Sequence, residues 1–230
     1  MKNSFFAGLL SLTIMISCQP DKQLTNYVNP LLGTATLWET KDLGYERHLK
    51  TRTWGAEVFP GSSVPNAMVQ LSPVTQFRSG AGYQYEDTVI YGFSHTNKGH
   101  WNLLHLPVLP VTGNVSSGDY ASTYSHSNES ARPGYYQVFL ERYGVNAELT
   151  STLRCAYHKY TFRPDDDKKV LVDITRTNNG VRYCSIQKVD DYTFSGNQDA
   201  EGNIRFYAVS NYKIEDIRQL KNGEHEVSVV

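Results

Sequence analysis

Apolar and polar residues alternate along most of this chain, with a period of two. The clearest run begins at Val145. Val145, Ala147, Leu149, Leu153, Cys155 and Tyr157 fall on one side of it, and Asn146, Glu148, Thr150, Thr152, Arg154 and His158 on the other. This pattern belongs to a strand with one buried face. Ser151 is the one polar residue on the apolar side. Beyond His158 the count slips, because Tyr160 and Phe162 take the opposite parity. A one-residue slip inside a continuous strand predicts a β-bulge between His158 and Tyr160.

Eight more segments read as strands: 66–72, 87–95, 105–113, 135–143, 169–175, 182–189, 192–196 and 203–214. They are rich in β-branched and aromatic residues. Turn-forming clusters separate them, among them FPGSS, RSGAG, SSGD, ARPG, RPDDD, TNNG and GNQDAEGN. Tyr143-Gly144 reads as a tight hairpin turn. Helical periodicity is nearly absent, and only EDIRQLKN at 215–222 predicts a short helix. The segment from Tyr27 to Trp54 is irregular and charged, and is expected to wrap the sheets. Many short antiparallel strands with regular turns predict an all-β, antiparallel β-sandwich. No internal repeat or low-complexity linker divides it, so one domain is expected over 27–230.

The first residues stand apart. Lys2 precedes an apolar run from Phe5 to Ser17, and Cys18 follows. Thirteen apolar residues are too few to span a bilayer, which takes about 20. They suit the core of a secretory signal peptide at 1–17. Met15-Ile16-Ser17-Cys18 is similar to a bacterial lipobox, so Cys18 is expected to carry lipid and start the mature chain, with 18–26 as a tether. The expected location is the periplasm or the outer membrane, with membrane contact only through that anchor. Formal net charge is −1. With no basic field to attract phosphates, nucleic acid is excluded as a partner. The 16 tyrosines suit sugar or protein recognition, or simply strand formation. Export permits a disulfide between Cys155 and Cys184. Two buried thiols are the alternative.

Candidate chemistry concentrates in YGFSHTNKGHWNLLHLPVLP, residues 91–110. His95, His100 and His105 recur every five residues, a spacing that suits neither a helix face nor one face of a strand. They lack the i,i+4 pairing of a helical zinc site. Ser94-His95 has no nucleophile elbow around it. Gly80 to Gly82 lacks the Lys-Ser/Thr of a phosphate loop and reads as a turn. NQDAEGNI at 197–204 imitates the start of an EF-hand loop, but Ala208 stands where the bidentate Glu belongs, so it reads as a polar hairpin turn. Glu57, Glu86 and Asp87 are the carboxylates nearest the histidine-rich loop. Asp165 to Asp167 reads as a solvated turn.

Four segments together carry a resemblance. YVNPLLGT (27–34), VFPGSSVPNAMVQLSP (58–73), GYQYEDTVIYGFSHT (82–96) and the long run 124–162 resemble, in order and with natural spacing, the N-terminal domain of the family 92 glycoside hydrolases. The likeness extends over about 27–173. These are bacterial, calcium-dependent α-mannosidases. The resemblance implies an antiparallel β-sandwich of galactose-mutarotase-like, super-sandwich type. It implies α-mannoside glycans as substrate, hydrolysed with inversion, and a C-terminal helical barrel as partner, in cis or in trans. The catalytic acid, base and calcium ligands sit mainly in that barrel. No catalytic residue and no metal site is therefore expected in this chain, and calcium is expected only in the complete enzyme. The sandwich loops wall the sugar pocket, which assigns substrate contact to Phe59, Gly61, His95, Asn97, Lys98, His100 and Trp101. Two departures stand out. Pro65-Asn66-Ala67-Met68 replaces the usual Pro-Phe-Gly-Met, and Asn97 to Pro107 replaces a Gly- and Ser-rich loop. The insert 37–53 is also unlike the α-1,2-mannosidases. The rival reading is a carbohydrate- or protein-binding sandwich without catalysis. A further expectation concerns 203–214, a long and weakly charged strand. At an open sheet edge it would invite pairing with other chains.

Overall fold

The computed structural model describes residues 23–36, 56–98, 101–222 and 225–230. The leader at 1–17, Cys18, the 37–53 insert and His100 lie outside the described residues. The described chain is antiparallel β-structure with two short 3-10 turns, Leu24–Tyr27 and His126–Asn128, and no α-helix. Its strands are β1 (Ser72–Val74), β2 (Val89–Ile90), β3 (Gly92–Ser94), β4 (Asn97–Lys98), β5 (Trp101–Asn102), β6 (Val108–Val111), β7 (Ser122–Thr123), β8 (Glu129–Arg132), β9 (Tyr135–Leu140), β10 (Val145–Ser151), β11 (Ala156–Thr161), β12 (Lys169–Val172), β13 (Tyr183–Asp190), β14 (Thr193–Ala200), β15 (Gly202–Val209), β16 (Arg218–Asn222) and β17 (His225–Val229).

Three sheets stack. The middle one has the order β1-β3-β6-β12-β17-β16. One of its faces meets the sheet β11-β10-β9-β8, the other the sheet β13-β14-β15. Alternation along β12 shows how. Leu171 joins the larger core with Leu109, Tyr136, Val138, Leu140, Val145, Ala147 and Leu149. Val172 joins the smaller one, where Val170, Ile186, Phe194 and Phe206 pack. A strand covered on both faces needs no polar side. That explains the nearly continuous apolar runs of 106–111 and 170–172. Each fully buried Leu, Val or Phe contributes roughly 1.5–3 kcal/mol.

β9 and β10 pair with Leu140 opposite Val145, so 141–144 make the turn predicted at Tyr143-Gly144. Gly144 supplies a φ of 65° there, and its N–H donates to the Leu140 carbonyl at 2.8 Å.

Two sequence expectations fail. The run from Val145 to Phe162 is not one bulged strand. β10 ends at Ser151 and β11 returns from Ala156, with Ser151 opposite Ala156. The Thr152 N–H closes the turn on the Cys155 carbonyl at 2.9 Å. The connection has an even number of residues, four, so cross-strand partners have opposite parity: Leu149 faces His158 and Ala147 faces Tyr160. The parity slip is therefore the mark of a chain reversal. Leu153, Cys155 and Tyr157, counted on the apolar side, are exposed. The second failure is 215–222, where β16 pairs with β17 instead of forming a helix. Its neighbour in the sheet supplies the partner that local propensity ignores. No disulfide joins Cys155 and Cys184; Cys155 is exposed in the turn, and Cys184 is half-buried against the smaller core. Among the described residues β15 pairs only with β14 and forms a sheet edge.

Candidate functional site

The polar loop after β3 folds as a small hairpin. β4 and β5 pair with Asn97 opposite Asn102 and Lys98 opposite Trp101. The hairpin stands on three buried or half-buried carboxamides, each from a different part of the chain. Asn102 is fully buried. Its Nδ2 donates to the Ala81 carbonyl at 3.1 Å and to Ser94 Oγ at 3.2 Å, and its Oδ1 accepts from the Leu104 N–H at 2.8 Å. Asn178, from the turn after β12, donates to the carbonyls of Ser79 (3.0 Å) and Asn102, and accepts from the Arg78 N–H at 2.6 Å. Gln198 on β14 accepts from the Leu106 N–H at 3.0 Å and donates to the Ile174 carbonyl at 2.8 Å. Each amide supplies backbone partners where no ladder can. Leaving such a group unpaired costs about 1–3 kcal/mol.

These bonds hold a strained backbone. Arg78, Leu104 and Leu106 adopt φ values of 56°, 57° and 53°, and Glu57, whose carboxyl lies against Gly80, adopts 52°. The left-handed region costs an L-residue roughly 1–2 kcal/mol. Four of the five such non-glycine residues among the described residues thus gather around one loop cluster. Strain persists only where the surroundings over-determine it, and it concentrates at ligand clamps and active sites. Gly82 belongs to the same cluster. It has a φ of 75°, and a Cβ there would meet Asn102 Nδ2 at 2.5 Å.

The predicted site residues are placed as follows. Gly61, two residues after Phe59, lies beside the segment that leads into β1. Ser62 bridges Leu71, and a Cβ on Gly61 would fall 1.7 Å from the Leu71 carbonyl oxygen. Gly61 therefore permits a close backbone approach. His95 sits one step across the same segment, its carbonyl accepting from the Gln70 N–H at 2.9 Å. Its ring lies in a chain of bonds: Nδ1 with the Leu106 carbonyl at 2.7 Å, and Nε2 with His158 Nε2 at 3.0 Å. His158 Nδ1 in turn meets the Tyr160 hydroxyl at 2.7 Å. Burial pushes the His95 imidazole down to about 4, against a smaller opposing effect of the Leu106 carbonyl. Burial, then the facing His95, holds His158 well below its ordinary value. Both are neutral at pH 7. Asn97 is half-buried, and its Nδ2 is enclosed without a hydrogen-bond partner among the described residues. Lys98 is exposed and pairs with Glu201 at 2.8 Å. Trp101 is half-buried across from Lys98.

Sequence reasoning missed the supports. Asn178 lies in a stretch read only as a turn, and Gln198 and Glu201 lie in the EF-hand-like stretch. That stretch is the tip of the β14–β15 hairpin, where Ala200 pairs with Gly202. Nothing local marks an amide that bridges backbone groups 92 residues away, as Gln198 does for Leu106. Two of the three carboxylates nearest the loop hold structure. Asp87 accepts from Thr75 Oγ1 at 2.7 Å, and Glu86 from the Thr36 N–H at 2.8 Å. A buried carboxylate that the sequence did not announce, Glu129, is bonded by Tyr83 (3.0 Å), Tyr136 (2.6 Å) and His126 Nδ1 (2.6 Å) inside the larger core. Asp173, also buried, takes Tyr120 at 2.5 Å and Arg176 at 2.7 Å. Calcium asks for six to eight oxygens. Among the described residues no three His, Cys, Asp or Glu side chains group to hold a metal. The arrangement offers a rigid, polar and aromatic wall, and the described residues do not form a calcium cage.

Comparison with known proteins agrees with this architecture. A model of the glycosyl hydrolase family 92 N-terminal domain matches residues 27–222. No curated protein matches the sequence. Among solved structures, a family 92 α-mannosidase from Bacteroides thetaiotaomicron superposes with a TM-score of 0.76 at 25% identity, over 91% of this chain and 31% of that one. The same enzyme in complex with mannoimidazole superposes equally, at 24% identity over 91% and 30%. A family 92 inverting mannosidase from the same organism gives a TM-score of 0.62 at 20% identity, over 89% and 30%. The chain thus spans about a third of the length of the structures it matches.

Proposed function

Because the chain belongs to glycoside hydrolase family 92 through its N-terminal domain, we propose that it is the sandwich portion of an exported α-mannosidase, in which the 97–102 hairpin walls the sugar pocket. The observation that carries this reading is the strained, amide-pinned loop cluster on a fold shared with family 92 α-mannosidases over 91% of the chain. A pocket wall needs fixed side chains, and three carboxamides fix these. Trp101 offers a flat apolar ring to the C–H face of a pyranose. Asn97 lies half-buried on the same hairpin, and a carboxamide can bond a hydroxyl where its accessible atoms meet the sugar. Phe59 and Lys98 complete the wall, and Gly61 and His95 position it. The reaction is single displacement. Water attacks the anomeric carbon while a carboxylic acid protonates the leaving oxygen, with the two carboxyls about 6.5–9.5 Å apart. That pair, and calcium, belong to a helical barrel that completes the enzyme. The apolar leader and Cys18 support a location in the periplasm or on the outer membrane, held by lipid.

The test uses the 230-residue chain with Trp38 and Trp54 changed to Phe, so that Trp101 reports alone. Mannoimidazole should change its fluorescence saturably, and the change should vanish in Asn97→Ala. An α-mannobiose substrate should not be hydrolysed by the chain alone, with or without calcium. Turnover that is lost in Glu57→Gln would place the acid–base pair here and overturn the division of labour. A Trp101 signal indifferent to mannoimidazole but responsive to other glycans would favour a non-catalytic binding module.

A further inference from the structure

The two facing histidines of the loop cluster are not explained by sugar contact, since His95 spends both ring nitrogens inside the protein. The Leu106 carbonyl can only accept, so His95 carries its proton on Nδ1 and leaves Nε2 as an acceptor. His158 must then donate from Nε2, which makes its Nδ1 the acceptor for the Tyr160 hydroxyl. One arrangement of protons satisfies all three bonds. The chain ties two otherwise separate parts. His95 lies between β3 and the 97–102 hairpin, and His158 and Tyr160 lie on β11 in the outer sheet. Leu106, whose carbonyl accepts from the His95 Nδ1–H, is one of the left-handed residues.

We propose that the His95–His158 pair is a proton-operated latch that fixes the 95–106 loop to the outer sheet when both rings are neutral and releases it when His95 takes up a proton on Nε2. Two N–H groups would then point at each other across 3.0 Å, and a cation would stand in an enclosed site. Among the described residues no counter-charge is in place to compensate. The described ionisable groups beside the pair are Tyr160 on β11, the two rings themselves, and His105, whose carbonyl accepts from the His95 N–H while its ring bonds Thr96; Phe93 on β3 packs at 6.4 Å from the His158 ring. Lys159 leaves β11 on the opposite face and pairs with Glu148 at 2.8 Å. The low affinity of His95 for a proton, displaced from 6.5 to about 4, agrees with a latch closed at neutral pH and opened by acid. A tenfold change per unit makes the opening about a hundredfold more favourable at pH 4 than at pH 7. The segment that loses this tie carries Asn97, Lys98 and Trp101; Asn102, Asn178 and Gln198 still hold its base, so acid would loosen the wall before the sheets unfold. The latch stands without the sugar reading, since it depends only on the imidazole geometry.

The experiment is solution NMR on the full chain. At pH 7 the imidazole nitrogens should report the Nδ1–H form for His95 and the Nε2–H form for His158. The opposite tautomers, or an imidazolium at pH 7, would overturn the proposal without any variant. Amide exchange then follows release. Protection of residues 96–106 should fall by about a hundredfold between pH 7 and pH 4, while the amides of β9 and β10 keep theirs. In His158→Leu the same amides should exchange fast at both pH values. Uniform loss of protection across β9 and β10, or an unchanged midpoint in His158→Leu, would equally refute the latch.

Discussion

The β9–β10 hairpin and the 78–106 loop cluster lie in one domain but are held by different physics. In β9–β10 every second side chain is buried, the core is almost entirely apolar, and the one left-handed residue of the turn is Gly144. In 78–106 the buried side chains include Ser79, Gln84, Ser94, Asn102 and His105, and the backbone carries three non-glycine residues at positive φ. The first region is stabilised by non-directional burial, which tolerates small shifts. The second depends on hydrogen bonds whose geometry is fixed, and it stores strain. That difference teaches where to seek function: a fold spends directional bonds where a loop must keep one shape.

The comparison can be broken most severely from the apolar side. Tyr136→Ala removes a fully buried ring and one of the donors to Glu129. It should cost about 3–5 kcal/mol, read as a lowered urea midpoint. Acid attacks the other side. His95 and His158 have depressed values in the folded state, so the unfolded chain binds more protons and stability falls as pH drops. The loss should begin near pH 6.5, the unfolded value, and level off near 4, amounting to about 3 kcal/mol for His95. Urea titrations at stepped pH measure it, and Tyr136→Ala should leave its pH dependence unaltered. Asn102→Ala strips partners from Ala81, Ser94 and Leu104 and should cost about 1–3 kcal/mol. It should also accelerate proteolytic cutting within 97–106 while β9–β10 stays resistant. The smallest effect has the reverse sign. Arg78 is exposed at a φ of 56°, so Arg78→Gly should relieve strain and raise stability by up to about 1 kcal/mol in a thermal melt. A fall on that substitution would show that the Arg78 side chain contributes something its backbone position does not.

The contrast also marks how much could be read from residues alone. Period-two alternation sufficed for β9 and β10, since burial of one sheet face is written into neighbouring positions, whereas β12 showed as a short apolar run between turn signals. The turn at Tyr143-Gly144 was legible because glycine is the cheap way to reach positive φ. The slip at His158 was visible but ambiguous, because a bulge and a four-residue reversal shift parity alike. Only the pairing of Leu149 with His158 decides between them. β16 was misread because its strand character comes from β17, not from its own composition. At the site, the sequence picked out the loop 94–101 by its unusual residues; the structure folds it as a hairpin that carries Asn97, Lys98 and Trp101. It could not show that His95 faces a histidine 63 residues away, or that Asn178 and Gln198 pin the hairpin base.

The sequence by itself thus determined the all-β class, the antiparallel strands with their buried faces, and the family to which the chain belongs, because those depend on local periodicity and on ordered motifs. The tertiary structure alone decided which strands share a sheet, that the middle sheet is covered on both faces, and which polar side chains meet. Those choices depend on long-range packing. A carboxamide or an imidazole looks the same in sequence whether it faces solvent or closes a bond to a backbone group from the far end of the chain.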